Sequence, residues 1–285
     1  MCITFFKLSP SSPLKFILGF NREVELTKPT REAAFWEGDE NIVGGRDLVQ
    51  GGACLALNVF TGHIAILTNY AELPFSEKMQ FNKKSRGDLV RNWVSSEKPT
   101  VTPKEYLQQI ISRKADYNPF NLIVGSLKDI DQPFYVIDYT MDEPQQIPFN
   151  IYQGMSNSAF QQPYPKVSWG LSQLRSTNPS ELPDAVTAVK SVLRCETHHP
   201  FHEGYDPEDS IFVRPFSVNG LPIIVGTIST TVITLDDDGK IRLTEWMNYF
   251  PEIESSRAEV SHQIDAKSKF KTVNTIDCWI HCSDD

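Results

Sequence analysis

Residues 2–6 read Cys-Ile-Thr-Phe-Phe, and residues 15–23 read Lys-Phe-Ile-Leu-Gly-Phe-Asn-Arg-Glu. Both stretches have strand length and are rich in aromatic and β-branched residues. A Ser/Pro segment, residues 9–13, separates them, which predicts a hairpin. The first stretch is apolar on both faces, so it belongs inside a sheet that is covered on both sides. In such a hairpin the end of the second strand returns to the start of the first, which brings Asn21, Arg22 and Glu23 beside Cys2. Cys2 directly follows Met1. A small second side chain permits removal of the initiator, which would leave a thiol beside a free α-amine with a pKa of about 7.7–8.0. Arg22 would then favour the thiolate electrostatically. The same residues also read as a small side chain opening a buried strand, with a surface Arg-Glu pair at the strand end.

Further strand-length runs lie at 53–59, 63–69, 120–127, 134–139, 210–214, 222–226, 230–235 and 241–246. Gly62 and Gly239 stand in the turns of two expected hairpins. Thr102-Pro103-Lys104-Glu105 forms a capping box with proline at the first helical position. The helix that follows places Leu107, Ile110 and Ile111 on one face. Residues 85–88 resemble a second helix start. Residues 180–193 read as a third helix, with Val186, Val189 and Leu193 inward. Hairpin runs interrupted by helices give an α+β class. We expect one domain over residues 1–250 and a partly packed, charged extension over 251–285.

The chain has 285 residues and a formal net charge of -9. That balance argues against nucleic acid as a partner, since such binding needs a basic face. No apolar run approaches a membrane span, and no secretory signal is evident. The five cysteines are odd in number and scattered, which fits a reducing compartment better than a disulfide framework. A cytoplasmic protein is therefore expected.

Residues 51–69 run glycine pair, strand, turn, strand, and end in Thr68-Asn69. An asparagine at a strand end can serve as an oxyanion donor, or simply form a turn. Cys195, His198, His199 and His202 have metal-ligand spacing, and Cys278, His281 and Cys282 could complete a site. We read this as a polar loop and a tail, and expect no metal cofactor.

In order along the chain come the Met-Cys start, Asn21-Arg22-Glu23, the Gly-Gly stretch ending in Leu67-Thr68-Asn69, and Ser85-Arg86-Gly87. Tyr117-Asn118-Pro119-Phe120, Ser156-Asn157-Ser158 with 163–167, and 226–233 follow. Single motifs of this kind are weak, but this order resembles the transport and Golgi organization protein 2 homologues of the NRDE superfamily, over roughly residues 1–247. The resemblance implies an N-terminal-nucleophile hydrolase fold, an αββα sandwich of two antiparallel sheets flanked by helices. It maps Cys2 to the nucleophile, Arg22 to the motif arginine and Asn69 to a catalytic asparagine. It links the chain to haem mobilised from membrane-bound stores, with haem as cargo, and to Golgi organisation, mitochondria and lipid homeostasis. Peripheral contact with organelle membranes is part of that expectation. Candidate ligand-binding residues are Cys2, Asn21, Arg22, His63, Asn69 and Arg86. The alternatives are a cysteine amidohydrolase and a lipid or acyl-CoA binding protein. Two motifs depart from the family pattern. Asn-Arg-Asp-Glu is here Asn21-Arg22-Glu23-Val24, and an arginine of the family's Gly-Thr-Arg stretch is Ile228. Loss of that cation points to a binding pocket rather than to hydrolysis.

Overall fold

A computed structural model describes residues 2–71, 80, 82–95, 101–179, 181–196, 210–217, 223–249 and 269–279. Residues 2–25 form the expected hairpin, β1 (Cys2–Leu8) and β2 (Leu14–Glu25). Beyond it lie β3 (Thr30–Trp36), β4 (Asp39–Asp47), β5 (Leu55–Asn58) and β6 (His63–Asn69). Two helices follow, α1 (Gly87–Val94) and α2 (Pro103–Ile111). Then come β7 (Phe120–Ser126), β8 (Tyr135–Asp138), β9 (Gln145–Gln146) and β10 (Gln153–Met155). A second helix pair is α3 (Pro165–Thr177) and α4 (Leu182–Leu193). The chain ends in β11 (Phe216–Ser217), β12 (Ile224–Asp236), β13 (Lys240–Tyr249) and β14 (Lys269–Trp279).

Among the described residues the strands form two antiparallel sheets. One has the order β10-β1-β2-β12-β13-β14, with β11 on β12. The other runs β3 to β9 in sequence order. Phe6, Phe16, Leu18, Phe20, Leu57, Ile66 and Ile123 meet between the sheets. Helices α1 and α2 cover the outer face of the second sheet through Leu89, Trp93, Leu107 and Ile110. Helices α3 and α4 cover the first through Val167, Leu174, Val189 and Leu193. The result is the αββα layering that was expected. It explains the uninterrupted apolar run of β1: every residue of that strand is buried, because its two faces meet two different cores. Strand β1 is interior, with β10 on one side and β2 on the other.

Local signals decide several elements. Thr102 and Glu105 form the reciprocal capping box that starts α2. Gly62 and Gly239 take positive φ in their hairpin turns. The expected start at 85–88 differs: Arg86 is the N-cap of α1 and makes no side-chain cap bond, while the Ser85 hydroxyl donates to Gln50 instead. Residues 210–214 are not a strand. Val213 bonds twice to Thr227, and tertiary bonds replace a ladder there. Residues 224–226 and 230–235, expected in two separate runs, belong to one strand, β12, joined through a bulge at Ile228. The tail supplies β14, paired along β13. No described helix is long and apolar enough to cross a membrane.

Candidate functional site at the inter-sheet cleft

The hairpin register sets Cys2 directly opposite Arg22. Directly opposed residues project to the same face, and here that face is the space between the sheets, since Cys2 and Phe20 share its core. Alternation along β2 then sends Asn21 and Glu23 to the other face. Asn21 is fully buried there. Its amide donates to the carbonyls of Leu193 (2.8 Å) and Ile211 (3.0 Å), and its oxygen accepts from the Thr230 hydroxyl (2.8 Å). Asn21 thus closes the C-terminal end of α4. It does not face Cys2, which corrects its placement among the ligand-binding candidates. Glu23 is also buried on this side, opposite Thr227 in the ladder and near the buried Lys166. Burial pushes its carboxyl above the usual range, and the Lys166 charge pulls it back.

Arg22 reaches into the cleft. Its Nη1 donates to the Arg31 carbonyl (3.3 Å), and its Nε is buried without a hydrogen-bond partner. The cleft is lined by Arg22, Cys54, Gly44, Gly45, Ser229 and Glu245, among others, and holds about 20 Å³. That is room for about one water. Glu245 is held by the Ala33 amide and the Thr231 hydroxyl, and burial raises its carboxyl pKa. Ile228 is the extra residue of the bulge between the Thr227–Glu23 and Ser229–Arg22 pairs. Ile228 is itself buried and apolar, next to the Arg22 pair.

The most consequential neighbour of Cys2 is Cys54, just before β5. Cys54 packs against the inter-sheet core that contains Cys2, while the Cys2 thiol donates to the Glu23 carbonyl (4.0 Å). The neighbouring Cys54 thiol, then burial, raises the Cys2 pKa well above the ordinary thiol value. The Cys2 thiol, with Arg22 and Arg86, holds Cys54 down at about 6 despite burial. The pair thus gives up its first proton easily and its second with difficulty, as coupled acids do. The thiol charges in turn act on Arg86, whose Nη1 donates to the Pro119 carbonyl (2.9 Å). Its approach depends on Gly52. A Cβ at Gly52 would stand 2.7 Å from the Gly87 Cα and 2.8 Å from its carbonyl carbon. Only glycine lets the start of α1 lie against the segment that carries Cys54.

Asn69 ends β6 and joins the site through a relay. The Ser156 hydroxyl donates to the Cys2 carbonyl (2.9 Å) and lies 3.2 Å from the Asn157 oxygen; the Asn157 amide donates to the Asn69 carbonyl (2.6 Å). Cys2, Arg22, Arg86 and Asn69 therefore share one end of the sandwich. His63 does not join them. It begins β6, at the end opposite Asn69, with its ring 4.5 Å from that of Trp93. It lines a separate groove of about 530 Å³ with Trp93, Pro103 and Tyr135. Burial lowers its pKa and favours neutral imidazole. His63 and Cys2 therefore line different parts of the fold.

Sequence reasoning missed Cys54, Glu245, Ser156 and Asn157 as site residues. For Cys54 the only local signal was the Gly-Gly pair before it. Met1, His198, His199, His202, His281 and Cys282 lie outside the described residues. Cys195 follows α4 and lines a groove with residues of α3 and α4, and Cys278 lies on β14, where burial raises its thiol to about 11.

The chain is 28% identical over 263 residues to the Transport and Golgi organization protein 2 homolog of Bos taurus, covering 86% of this chain and 92% of that protein. The Homo sapiens homolog is 25% identical over 262 residues, with the same coverage. Among solved structures, a Caenorhabditis elegans N-acylethanolamine-hydrolyzing acid amidase ortholog aligns with a TM-score of 0.49 and 11% identity, over 81% of this chain and 92% of that one. The Transport and Golgi organisation 2 family profile matches residues 1–249, and the chain belongs to that family.

Proposed function

We propose that this protein is a carrier that takes haem through a cysteine thiolate at the inter-sheet cleft and releases it to an acceptor. The observation that carries the reading is the thiol pair. Cys54 ionises at about 6 beside Arg22 and Arg86, at a cleft that holds only about 20 Å³. A thiolate is a soft ligand for haem iron. A cleft of that size cannot enclose a macrocycle, so the porphyrin would lie across the mouth and exchange freely. Arg86, half-buried at the start of α1, is the cation available to a propionate. Family membership supports a role in transport and Golgi organisation.

The second reading is a cysteine amidohydrolase. It draws on Cys2 opposite Arg22, with Ser156, Asn157 and Asn69 around the Cys2 carbonyl. Those groups have the character of a nucleophile with amide donors. It would require Met1 to be removed.

The test is a titration of ferric haem into the full chain, followed by transfer to an apo-globin. Affinity of roughly micromolar order, about 8 kcal/mol, is expected of a carrier that must release its cargo. Cys54→Ser should weaken binding by at least about tenfold, roughly 1.4 kcal/mol. An unchanged Soret band, or equal binding by wild type and Cys54→Ser, would remove the carrier reading. Turnover of small amides, abolished by Cys2→Ser, would replace it with the hydrolase.

A further inference from the structure

Cys2 and Cys54 sit about 50 residues apart in sequence, yet Cys54 packs against the core cluster that contains Cys2, and the Arg22 that stands opposite Cys2 lines the same cleft as Cys54. Neither reading above needs a second thiol at this point. The two are also unequally placed. Cys2 is 4% exposed, within the inter-sheet core. Cys54 is half-buried and lines the cleft together with Arg22 and Glu245. An oxidant entering the cleft therefore meets the Cys54 sulfur first. The Arg22 Nε points no hydrogen bond at any described group, so it is free to stabilise an incoming oxygen. The cleft volume of about 20 Å³ matches a water-sized molecule. Hydrogen peroxide, with two heavy atoms, is the oxidant nearest that size. Organic hydroperoxides and glutathione disulfide are larger.

We infer that Cys54 and Cys2 form a peroxide-reactive site, in which Cys54 is oxidised to the sulfenic acid and Cys2 resolves it to an interstrand disulfide. The thiolate of Cys54 attacks one peroxide oxygen. The O–O bond breaks, Cys54 gains the hydroxyl, and the second oxygen leaves as hydroxide, which takes up a proton to become water. Cys2 sulfur then attacks the sulfenic sulfur. The S–O bond breaks and the hydroxyl departs as a second water with the Cys2 proton. In sum two thiols and one hydrogen peroxide give one disulfide and two waters, and a dithiol reductant reverses the change. Bond closure brings the two sulfurs to about 2.05 Å. Arg22 and Arg86 favour the first step by stabilising the attacking thiolate. The disulfide consumes the thiolate at the cleft, so the oxidised protein loses whatever ligand or substrate that thiolate serves. The inference holds under either functional reading, since it needs only the thiol pair and the cleft.

The experiment treats the full chain, reduced and freed of reductant, with hydrogen peroxide and in parallel with tert-butyl hydroperoxide and glutathione disulfide. Intact mass and peptide mapping follow the products. With peroxide the mass should fall by about 2 Da, the two thiol hydrogens, and mapping should join the Cys2 and Cys54 peptides. Dithiothreitol should restore the starting mass. The bulky oxidants should react at least about tenfold more slowly, because access limits them. In Cys2→Ser, dimedone should trap a sulfenic acid on Cys54. In Cys54→Ser, it should label residue 2 little. A mass gain without cross-linking in wild type overturns the inference, as does a disulfide through Cys195 or Cys278. Equal rates with all three oxidants would overturn the assignment to the cleft. If Cys54→Ser fails to fold, the wild-type map and the Cys2→Ser trap still decide the matter.

Discussion

Replacing Asn21 by alanine separates a residue that holds the fold from one that serves the site. Asn21 is fully buried and makes three hydrogen bonds, to Leu193, Ile211 and Thr230. The Leu193 carbonyl is one of the open acceptors at the end of α4, which the helix cannot satisfy itself. Alanine leaves two buried carbonyls without this donor. Each unsatisfied group costs about 1–3 kcal/mol. The Thr230 hydroxyl can rotate, so its loss adds less. The sum is roughly 3–5 kcal/mol, a large share of the roughly 5–15 kcal/mol that holds a typical domain together. Urea unfolding should show the midpoint falling with an unchanged slope. Asn69→Ala is the control, because only the backbone of Asn69 is seen to accept a bond. It should cost no more than about 1 kcal/mol. A loss below about 1 kcal/mol for Asn21→Ala, or equal losses for the two variants, would refute the assignment of Asn21 to the fold.

Arg22→Met removes a guanidinium that favours the Cys54 thiolate. The thiol pKa should rise by about 1–3 units, and alkylation by iodoacetamide at about pH 7 should slow roughly twofold for the first unit and about tenfold for each further unit; unchanged alkylation would show that Arg22 does not act on the pair. Gly52→Ala forces a Cβ against the Gly87 backbone, so it should destabilise by about 1–3 kcal/mol and slow the same alkylation as Arg86 is displaced. His63 has a pKa lowered by burial, so its contribution to stability is present above the ordinary histidine value and is lost as pH falls through the lower folded one. His63→Phe, which keeps a ring against Trp93, should therefore lose less stability than wild type between about pH 7.5 and pH 5; equal losses would contradict a buried neutral His63.

The hairpin of β1 and β2 was legible because its signals are local: two strand-length runs, a breaker between them, and apolar residues on both faces. The pairing of Cys2 with Arg22 follows from that hairpin alone. The period-two alternation of β2 also forbids Asn21 and Arg22 from facing one site, and that signal was present in the sequence but passed over. Cys54 was not legible. Its contact with Cys2 depends on how two sheets stack, and on the close approach that Gly52 permits. Ser156 and Asn157 reach Cys2 through β10, whose pairing with β1 spans about 150 residues and carries no local mark. Ser85 looked like a helix cap because it precedes an amphipathic run. The tertiary bond to Gln50 claims its hydroxyl instead. The tail strand β14 is polar in part, and only pairing with β13 reveals it.

The central claim is that the inter-sheet cleft holds an ionised thiol at neutral pH. Thiolate absorbance near 240 nm, followed across pH in the full chain, tests it most directly. The account predicts one thiolate rising with a midpoint at about 6, absent in Cys54→Ser and moved upward in Arg22→Met. If no thiol ionises until the ordinary cysteine range of about 8.5, or if the early step survives in Cys54→Ser, the site as described is wrong.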